Sequence, residues 1–554
     1  MATLPRKDSV FNSRRGRALQ ENLTAYVFLA PALLLIFVFG IFPVAFAFFV
    51  SLHQWRRFPG DYLGLDNYVR ALDSFAYVLF FWLALGALVY ALALLRRLWL
   101  RNDERLRALA FLIPGVVNAA AILLWINWVA ILLPLIINIP QQIRTQTRSL
   151  ALFVNALVAC FQDPTATAAG NQFLAALIAG IVLSVIALLV LRSAQRGLYL
   201  FQASSAIFSA AIGVLLLQLT INAVQDAANA AKTAGGALPL WSMIIIISAG
   251  VALIAAGYVI WQRALKQEAG NRRFITLTLA AILLACGGAA LVVDLPRALT
   301  NSDGKVLAGF NITIMFAIGT VPFQLAIGLG LAFLLFQNIK AKSFFRVVYF
   351  LPYIMPFVAT SIVFGLIFSF RPSSIANNML QFVGVPPQKW LTDPTGVFTL
   401  IFGPQLPSFL TGPSIALLVI MIYTTWTYIG YDAVIFLAGL GGVPVELYEA
   451  ARIDGASGWS VFRYITLPLL SPTTFFLSLI AVIGTFQAFT QIWLMRTPAA
   501  ASSVDTVGVY IYTTVQSNDP NLGYGSAVAL VLFGVILLLT IFQNRIIGSR
   551  VFYG

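Results

Sequence analysis

Side chains that could carry out acid–base, nucleophilic or metal chemistry are few in this sequence and stand far apart. The chain has one histidine, His53, and two cysteines, Cys160 and Cys286, so no set of metal ligands and no disulfide framework comes together. The nearest candidate for a phosphate-binding loop, at 304–306, lacks the glycine run that would cradle ATP. The sequence therefore predicts no catalytic residue, no metal and no cofactor in this chain, and a protein that is not an enzyme.

The composition places this chain in a lipid bilayer. Its hydrophobic fraction is 60%, its charged fraction is 10% and its mean hydropathy is +0.91, far from the values of soluble globular proteins. A net charge of +15 could suggest nucleic acid, but a nucleic-acid binder clusters its Lys and Arg on one face. Here the basic residues lie between apolar blocks, as in the loops of a membrane protein, so nucleic acid is not an expected partner.

Apolar stretches long enough to cross a bilayer, which takes roughly 20 helical residues, recur about twelve times. They indicate an all-α, polytopic integral membrane protein with about 12 transmembrane helices. One more apolar stretch, 150–161, has only about a dozen residues and fits an interfacial or re-entrant piece better than a span. The predicted spans are 25–51, 75–95, 109–139, 172–192, 198–221, 240–261, 274–293, 310–336, 345–369, 414–438, 472–494 and 523–543.

The distribution of positive charge predicts the orientation of these spans. About two thirds of the 34 Lys and Arg residues lie in alternate connections counted from the N-terminal tail. Cytoplasmic loops carry such an excess, so we expect the N and C termini to be cytoplasmic. If 150–161 were a span, every later loop would change sides.

The most specific pattern lies between the tenth and eleventh predicted spans, at 444–468, on the predicted cytoplasmic side. Pro444 can open a helix at its first position, where no amide donor is lost, and Glu446 and Glu449 favour the positive N-terminal end of that helix. Gly455 permits a break in the backbone, and Ser457 can cap a second short helix. We therefore expect a helix, a glycine joint and a second helix on the membrane face.

This string resembles the EAA loop of binding-protein-dependent ABC importer permeases, which reads Glu-Ala-Ala, a Gly a few residues on, then Ile-x-Leu-Pro. The resemblance covers about 20–72 and 296–552, and these regions look like the maltose-type carbohydrate permeases, specifically the larger partner of their two-permease pairs. It implies that the loop couples the permease to an ATPase, with Glu449 in contact and Gly455 as the bend. The residues that carry it are Glu449, Ala450, Ala451, Asp454, Gly455, Ala456, Ile465, Leu467 and Pro468.

The resemblance implies a function and a set of partners. The chain would be the transmembrane permease subunit of an ATP-binding-cassette importer for a carbohydrate, specifically an oligosaccharide, in a bacterial or archaeal inner cell membrane. Its partners would be lipid, a second smaller permease, two ABC ATPase subunits that bind ATP and Mg, and an extracytoplasmic substrate-binding protein. A secondary transporter stays open as an alternative, because twelve spans with both termini inside also suit that class. A permease for another solute, such as glycerol phosphate, stays open too.

The resemblance also divides the chain into three regions. Residues 1–72 would hold a cytoplasmic tail and the first core helix, and 296–554 the core permease domain with five spans and the loop 444–468. Between them, 73–295 would be an inserted region with about six spans, which is no part of the family core. A scaffold or lipid-facing belt and a regulatory or partner-binding unit are both open readings of this insertion.

A carbohydrate passage needs hydroxyl-bonding groups beside flat aromatic faces. Packing or a place in the interfacial belt is an equally open reading of such residues. Asp432 is a further candidate, because a carboxylate inside a membrane is functional by default; a solvated helix end is its alternative. The passage candidates in the core spans are Trp426, Tyr428, Tyr431, Gln487, Phe489 and Gln491.

Overall fold

The structure, a computed structural model, is mainly helical in the part of the chain that it describes. That part comprises residues 14–100, 105–144, 149–191, 195–233, 240–268, 270–337, 339–407, 411–548 and 551. Strand pairing within it is limited to the isolated bridges His53–Tyr62 and Gly396–Ser414. The basic tail at 1–13, on which the orientation prediction draws, lies outside the described residues.

The helices vary from single turns to lengths well beyond a bilayer. In chain order they are α1 (Arg14–Ile36), α2 (Phe42–Ser51), α3 (Asp66–Leu72), α4 (Phe75–Trp99), α5 (Arg105–Ala110), α6 (Leu112–Ile137), α7 (Ile139–Gln142), α8 (Leu150–Gln162), α9 (Pro164–Val190), α10 (Arg196–Thr233), α11 (Leu240–Leu265), α12 (Asn271–Ala298), α13 (Gly304–Phe336), α14 (Lys342–Ile354), α15 (Phe357–Ile367), α16 (Ile375–Phe382), α17 (Val397–Phe402), α18 (Ile415–Gly441), α19 (Val445–Ile453), α20 (Gly458–Val461), α21 (Leu467–Leu469), α22 (Ser471–Phe486), α23 (Thr490–Met495), α24 (Ala501–Val504), α25 (Val507–Val515) and α26 (Leu522–Ile546).

Ten helical segments in the described residues are long and apolar enough to cross a membrane. They are Thr24–Ser51, Arg105–Gln142 and the single helices α4, α9, α10, α11, α12, α13, α18 and α26. Two bent pairs raise the number to 12 if each pair is one span: α14 with α15, at 96°, and Gly458–Leu469 with α22, at 64°. The prediction of an all-α, polytopic membrane protein with about 12 spans is confirmed.

Contacts divide the chain into two compact units, of which the first comprises 1–64 and 90–210. Within it α6, α9 and α10 meet at a polar cluster, where Asn118 Nδ2 donates hydrogen bonds to Ser184 Oγ at 3.0 Å and Ser204 Oγ at 3.3 Å. In membrane proteins, hydrogen bonds between polar side chains link neighbouring helices in this way.

The second unit, 65–89 and 211–554, contains the loop and the five spans predicted within 296–554. Its centre is the packing of α13 on α18, where the helices approach closely at Gly328: a Cβ on this glycine would lie 2.8 Å from Asp432 Cβ. Helix α14 crosses α18 at Gly430, where a Cβ would overlap the carbonyl group of Tyr349. Glycine is therefore required at both crossings.

The structure differs from the predicted spans at three places. The predicted span 345–369 is broken at Met355, because Pro356 has no amide hydrogen for a continuing helix and disfavours helical geometry in the residue before it. The predicted span 472–494 is interrupted after Phe486 and resumes as α23. Helix α10 continues to Thr233, through residues predicted to be loop.

The short apolar stretch forms a helix of its own, α8, with 13 residues. Ser149 caps it, because Ser149 Oγ accepts a hydrogen bond from Leu152 N at 3.1 Å. Its length falls short of the roughly 20 residues that a span needs, in agreement with the sequence. The division into 1–72, 73–295 and 296–554 and the cytoplasmic termini stay predictions.

Candidate functional site

The segment between α18 and α22 folds as two short helices joined at a glycine. Helix α19 begins directly after Pro444, which is the N-cap rather than the first helical residue. The helix closes at Gly455, with φ +73°, where Ala456 N donates to Ala451 O over 2.9 Å. A left-handed residue at this position satisfies the last carbonyl groups of a helix and favours glycine. Ser457 Oγ then accepts from Ser460 N at 3.2 Å and caps α20, as the sequence predicts.

Most of the loop's side chains are exposed. Ala451 is the buried member of the Glu-Ala-Ala triplet, and Glu449 and Ala450 face outward with Asp454, Gly455 and Ala456. Farther along, Ile465 is half-buried, while Leu467 and Pro468 are exposed. Large apolar side chains are also uncovered: Ile453 is 86% exposed, Trp459 67% and Tyr464 73%. Exposed apolar groups rimmed by polar ones are typical of a protein interaction surface.

A contact inside the loop ties its two halves together. Tyr448 OH lies 3.2 Å from Thr466 Oγ1, so α19 is held against the turn that leads into α21. That turn, Phe462–Thr466, is a π-helical segment continuous with the helices on both sides. The part of the loop after Gly455 is therefore one helical run from α20 to α21, and Tyr448 holds α19 against it.

A second candidate site is a cavity of about 170 Å³ inside the second unit. Residues from α13, α14, α18, α22 and α23 line it, so it lies among helices of the core spans. The lining residues are Gln324, Tyr353, Thr424, Tyr428, Tyr431, Asp432, Leu477, Ile480, Ala481, Gly484, Thr485 and Gln491.

Tyrosine rings and buried polar groups form the walls of this cavity. The ring of Tyr353 stacks on Tyr431 with centroids 4.9 Å apart and meets Tyr428 at 5.8 Å. Gln324 and Gln491 are 4% and 7% exposed. Such a mixture of aromatic faces and a few polar groups is typical of a small-molecule site.

The cavity contains three of the passage candidates named from the sequence, Tyr428, Tyr431 and Gln491. Trp426 instead packs against Phe364, with ring centroids 5.1 Å apart. Phe489 lies against Tyr512 at 4.7 Å, away from the lining residues.

Gln487 ends α22, where its backbone N donates to Ile483 O at 3.1 Å, and it is absent from the cavity lining. Asp432 lines the cavity and is only 2% exposed, so the alternative of a solvated helix end is wrong. The sequence reasoning did not name Gln324, Tyr353, Thr424 or Thr485 as lining residues.

Residues 324–553 match the family described as the binding-protein-dependent transport system inner membrane component. The arabinooligosaccharide transport system permease protein of Bacillus subtilis is 33% identical over 233 residues, 41% of this chain and 66% of that protein. The lactose transport system permease protein of Rhizobium radiobacter is 30% identical over 236 residues, 42% of this chain and 72% of that protein. The sn-glycerol-3-phosphate transport system permease protein of Agrobacterium fabrum is 31% identical over 257 residues, 46% of this chain and 79% of that protein.

Proposed function

The chain belongs to the binding-protein-dependent transport system inner membrane components, and on that premise we propose that it carries an oligosaccharide through the cell membrane. As a multi-pass permease subunit it works with a second, smaller permease and two ABC ATPase subunits. An extracytoplasmic binding protein delivers the sugar. ATP and Mg bind to the ATPase subunits, so this chain itself does not hydrolyse ATP.

The observation that carries the proposal is the direct connection between loop and cavity. Helices α18 and α22 both line the cavity, and the loop of α19, α20 and α21 joins them. The loop is therefore joined to the cavity walls at both ends, through the short link 442–444 into α18 and through Leu470 into α22. Coupling of this kind requires that the partner make different contacts in each state of the permease.

The exposed face of the loop supports an ATPase as that partner. Ile453, Trp459 and Tyr464 present apolar surface, and Glu449 and Asp454 add charge at its edge. Aromatic anchors with a polar rim are the usual composition of an interface centre. In our proposal this face sits in a cleft of the ATPase, and Gly455 sets the angle between the two short helices.

The cavity supports a carbohydrate as the solute. Flat tyrosine faces cover the apolar sides of a sugar ring, and the amides of Gln324 and Gln491 can bond its hydroxyl groups. Two of the relatives described above are named for an oligosaccharide and a disaccharide.

The first test is gentle purification of the tagged chain from its native membrane, with mass spectrometry of the proteins that accompany it. An ABC ATPase and a second, smaller permease are the expected companions. Recovery of the chain alone, even after crosslinking at Glu449, would overturn the proposal and favour a secondary transporter.

A pair of glycine variants tests the role of the loop. Gly455→Pro cannot keep φ +73° and loses the amide that donates to Arg452 O at 3.1 Å, so the ATPase should no longer co-purify. Gly384→Pro is the matched control, because Gly384 has φ +74° and its amide donates to Gln381 O at 3.0 Å, but it lies in another loop. Equal retention of the ATPase by both variants would contradict the coupling role of the loop.

A further inference from the structure

One charged side chain stands out in the cavity. Among the described residues that line the cavity, Asp432 is the one with a carboxylate, and none is Lys, Arg or His. Asp432 is 2% exposed, and its Oδ2 has no hydrogen-bond partner among the described residues. A buried carboxylate is costly unless another group donates hydrogen bonds to it or neutralises its charge. No such donor to Oδ2 is found among the described residues.

Among the other residues that line the cavity, the tyrosine hydroxyls and the glutamine amides can donate hydrogen bonds to a bound solute. Thr424 Oγ1 already donates its hydrogen to Ile420 O at 2.8 Å, within its own helix. Tyr353 stacks on Tyr431 and meets Tyr428 edge-on in the same wall.

Family membership leaves the charge of the solute undetermined. One relative is named for sn-glycerol-3-phosphate, which is an anion, and others are named for sugars. A phosphate or carboxylate in this cavity would face Asp432 without a basic side chain from the lining to offset it. Like charges brought together in a poorly hydrated site repel strongly.

We infer that Asp432 selects the solute by charge: the cavity accepts a carbohydrate that presents O–H or N–H donors to this carboxylate and rejects one that carries a carboxylate or phosphate group. The inference rests on the proposed function of the cavity as the sugar passage. Hydroxyl groups and protonated amino groups can both donate hydrogen bonds to the carboxylate. The test therefore compares a neutral sugar with an amino sugar.

The test measures binding of three trisaccharides to the full chain in lipid nanodiscs by saturation-transfer NMR. The probes are maltotriose, which is neutral, a glucosamine trimer, which is cationic, and a galacturonic acid trimer, which is anionic. For the wild type we expect signals from the neutral and cationic probes and none from the anionic one. Gln491→Ala should weaken these signals, because Gln491 is a cavity residue.

Asp432→Asn keeps the shape of the side chain and removes its charge. The affinity for the glucosamine trimer should fall about tenfold or more, and the galacturonic acid trimer should now bind. Asp519→Asn is the matched control, since Asp519 is exposed and outside the cavity lining, and should change nothing. Asp432→Ser serves as a second neutral variant if the asparagine variant does not purify as a folded protein.

The two ideas fail in different ways. If none of the three probes binds to the wild type, the cavity is not a carbohydrate passage and the proposed function is overturned. If neutral sugar binds but the wild type and Asp432→Asn treat the cationic and anionic probes alike, the charge selection is overturned and the passage stands. An anionic signal from the wild type equal to the neutral one would also overturn the selection.

Discussion

The carboxylate of Asp303 joins α13 to α25 and α26 through two tyrosine hydroxyl groups. Tyr510 OH and Tyr524 OH donate to Asp303 Oδ2 over 2.6 and 2.7 Å, and the guanidinium of Arg70 lies 4.4 Å from the Tyr524 ring centroid. Burial raises the pKa of the Asp303 carboxyl, but the hydrogen bonds lower it by a larger amount. The pKa therefore lies below the ordinary 3.8. The folded protein therefore favours the ionised form of Asp303.

Tyr510→Phe removes one of these donors and should lower the free energy of unfolding by about 1.5–3 kcal/mol, the usual contribution of a hydrogen bond to a charged group. Because the pKa of Asp303 is lower in the folded state, the stabilisation is present above pH 3.8 and is lost as the pH falls through the folded pKa. Thermal unfolding of the detergent-purified chain at pH 7 and pH 3 measures both effects.

The control for this variant is Tyr512→Phe on the same helix. Tyr512 packs through its ring against Phe489 at 4.7 Å and Trp493 at 4.8 Å, and phenylalanine keeps those contacts. An equal loss of stability at both tyrosines would contradict the special role of the Asp303 pair. A larger effect of Tyr510→Phe at pH 3 than at pH 7 would do the same.

Sequence reasoning identified the residue types of the cavity better than their positions. Thr424, Tyr428 and Tyr431 recur at helical spacing on the face of α18 that lines the cavity, whereas Trp426 points to another face. The sequence alone does not tell which face of an apolar helix meets which neighbour, because all sides of such a helix are apolar. Tyr353 was missed because it lies at the end of α14, in a span predicted to be unbroken.

The crossing of α14 and α18 depends on the absence of a side chain at Gly430. A Cβ there would lie 2.6 Å from the carbonyl carbon of Tyr349 and 3.0 Å from Phe350 Cα. Both are backbone atoms, so no side-chain rotation relieves the overlap. Since Tyr353 reaches the cavity from the same helix, the crossing also sets one cavity wall.

Gly430→Ala should therefore destabilise the protein by about 1–3 kcal/mol, the usual cost of overpacking, or force α14 away from α18. The matched control is Gly330→Ala in α13, because a Cβ at Gly330 meets no atom within 4 Å. There the change should be neutral or raise the free energy of unfolding by up to about 1 kcal/mol, through the better helix propensity of alanine. The measurement is the melting temperature of each variant. Similar values for the two variants would show that the crossing of α14 and α18 tolerates a side chain.

Two predicted spans contain a break in the helix, and only one of the two breaks has a signal in the sequence. Pro356 is a visible signal, since a proline disfavours helical geometry in the residue before it, and the chain turns there by 96°. The interruption at Gln487 to Phe489, where Phe489 has φ −133°, has no proline or glycine to signal it. Length and composition predicted an apolar helical segment at both places but could not predict the second break.

Across the whole molecule, composition and segment length predicted the membrane class, and one short string predicted the family. The family match at 324–553 falls inside the predicted core region 296–554. The predicted insertion, 73–295, carries no comparable motif, because helices that contact lipid need only be apolar and long enough. Its role and the sidedness of its loops therefore require experiment.

Orientation is the prediction that concerns the entire chain, and cysteine labelling in intact cells tests it. Cys160 and Cys286 are first replaced by alanine, and single cysteines are then introduced at exposed positions. Ser457→Cys in the loop should react with a membrane-impermeant maleimide only after the cells are opened, because the charge bias places it in the cytoplasm. Ser517→Cys, on the far side of the predicted eleventh span, should react in intact cells. The reverse result, or equal labelling of the two sites, would contradict the predicted orientation.

The same assay decides whether α8 crosses the membrane. Leu106→Cys and Gln267→Cys lie before and after α8 at exposed positions, and both belong to predicted cytoplasmic loops if α8 does not cross. With 13 residues at about 1.5 Å each, α8 falls well short of the roughly 30 Å of a bilayer core. We therefore expect both cysteines to stay unlabelled until the cells are opened. Opposite labelling of the two sites would show that α8 is a span. The loops either before or after α8 would then lie on the membrane face opposite to the predicted one, and the Ser457 result would identify which of the two parts is inverted.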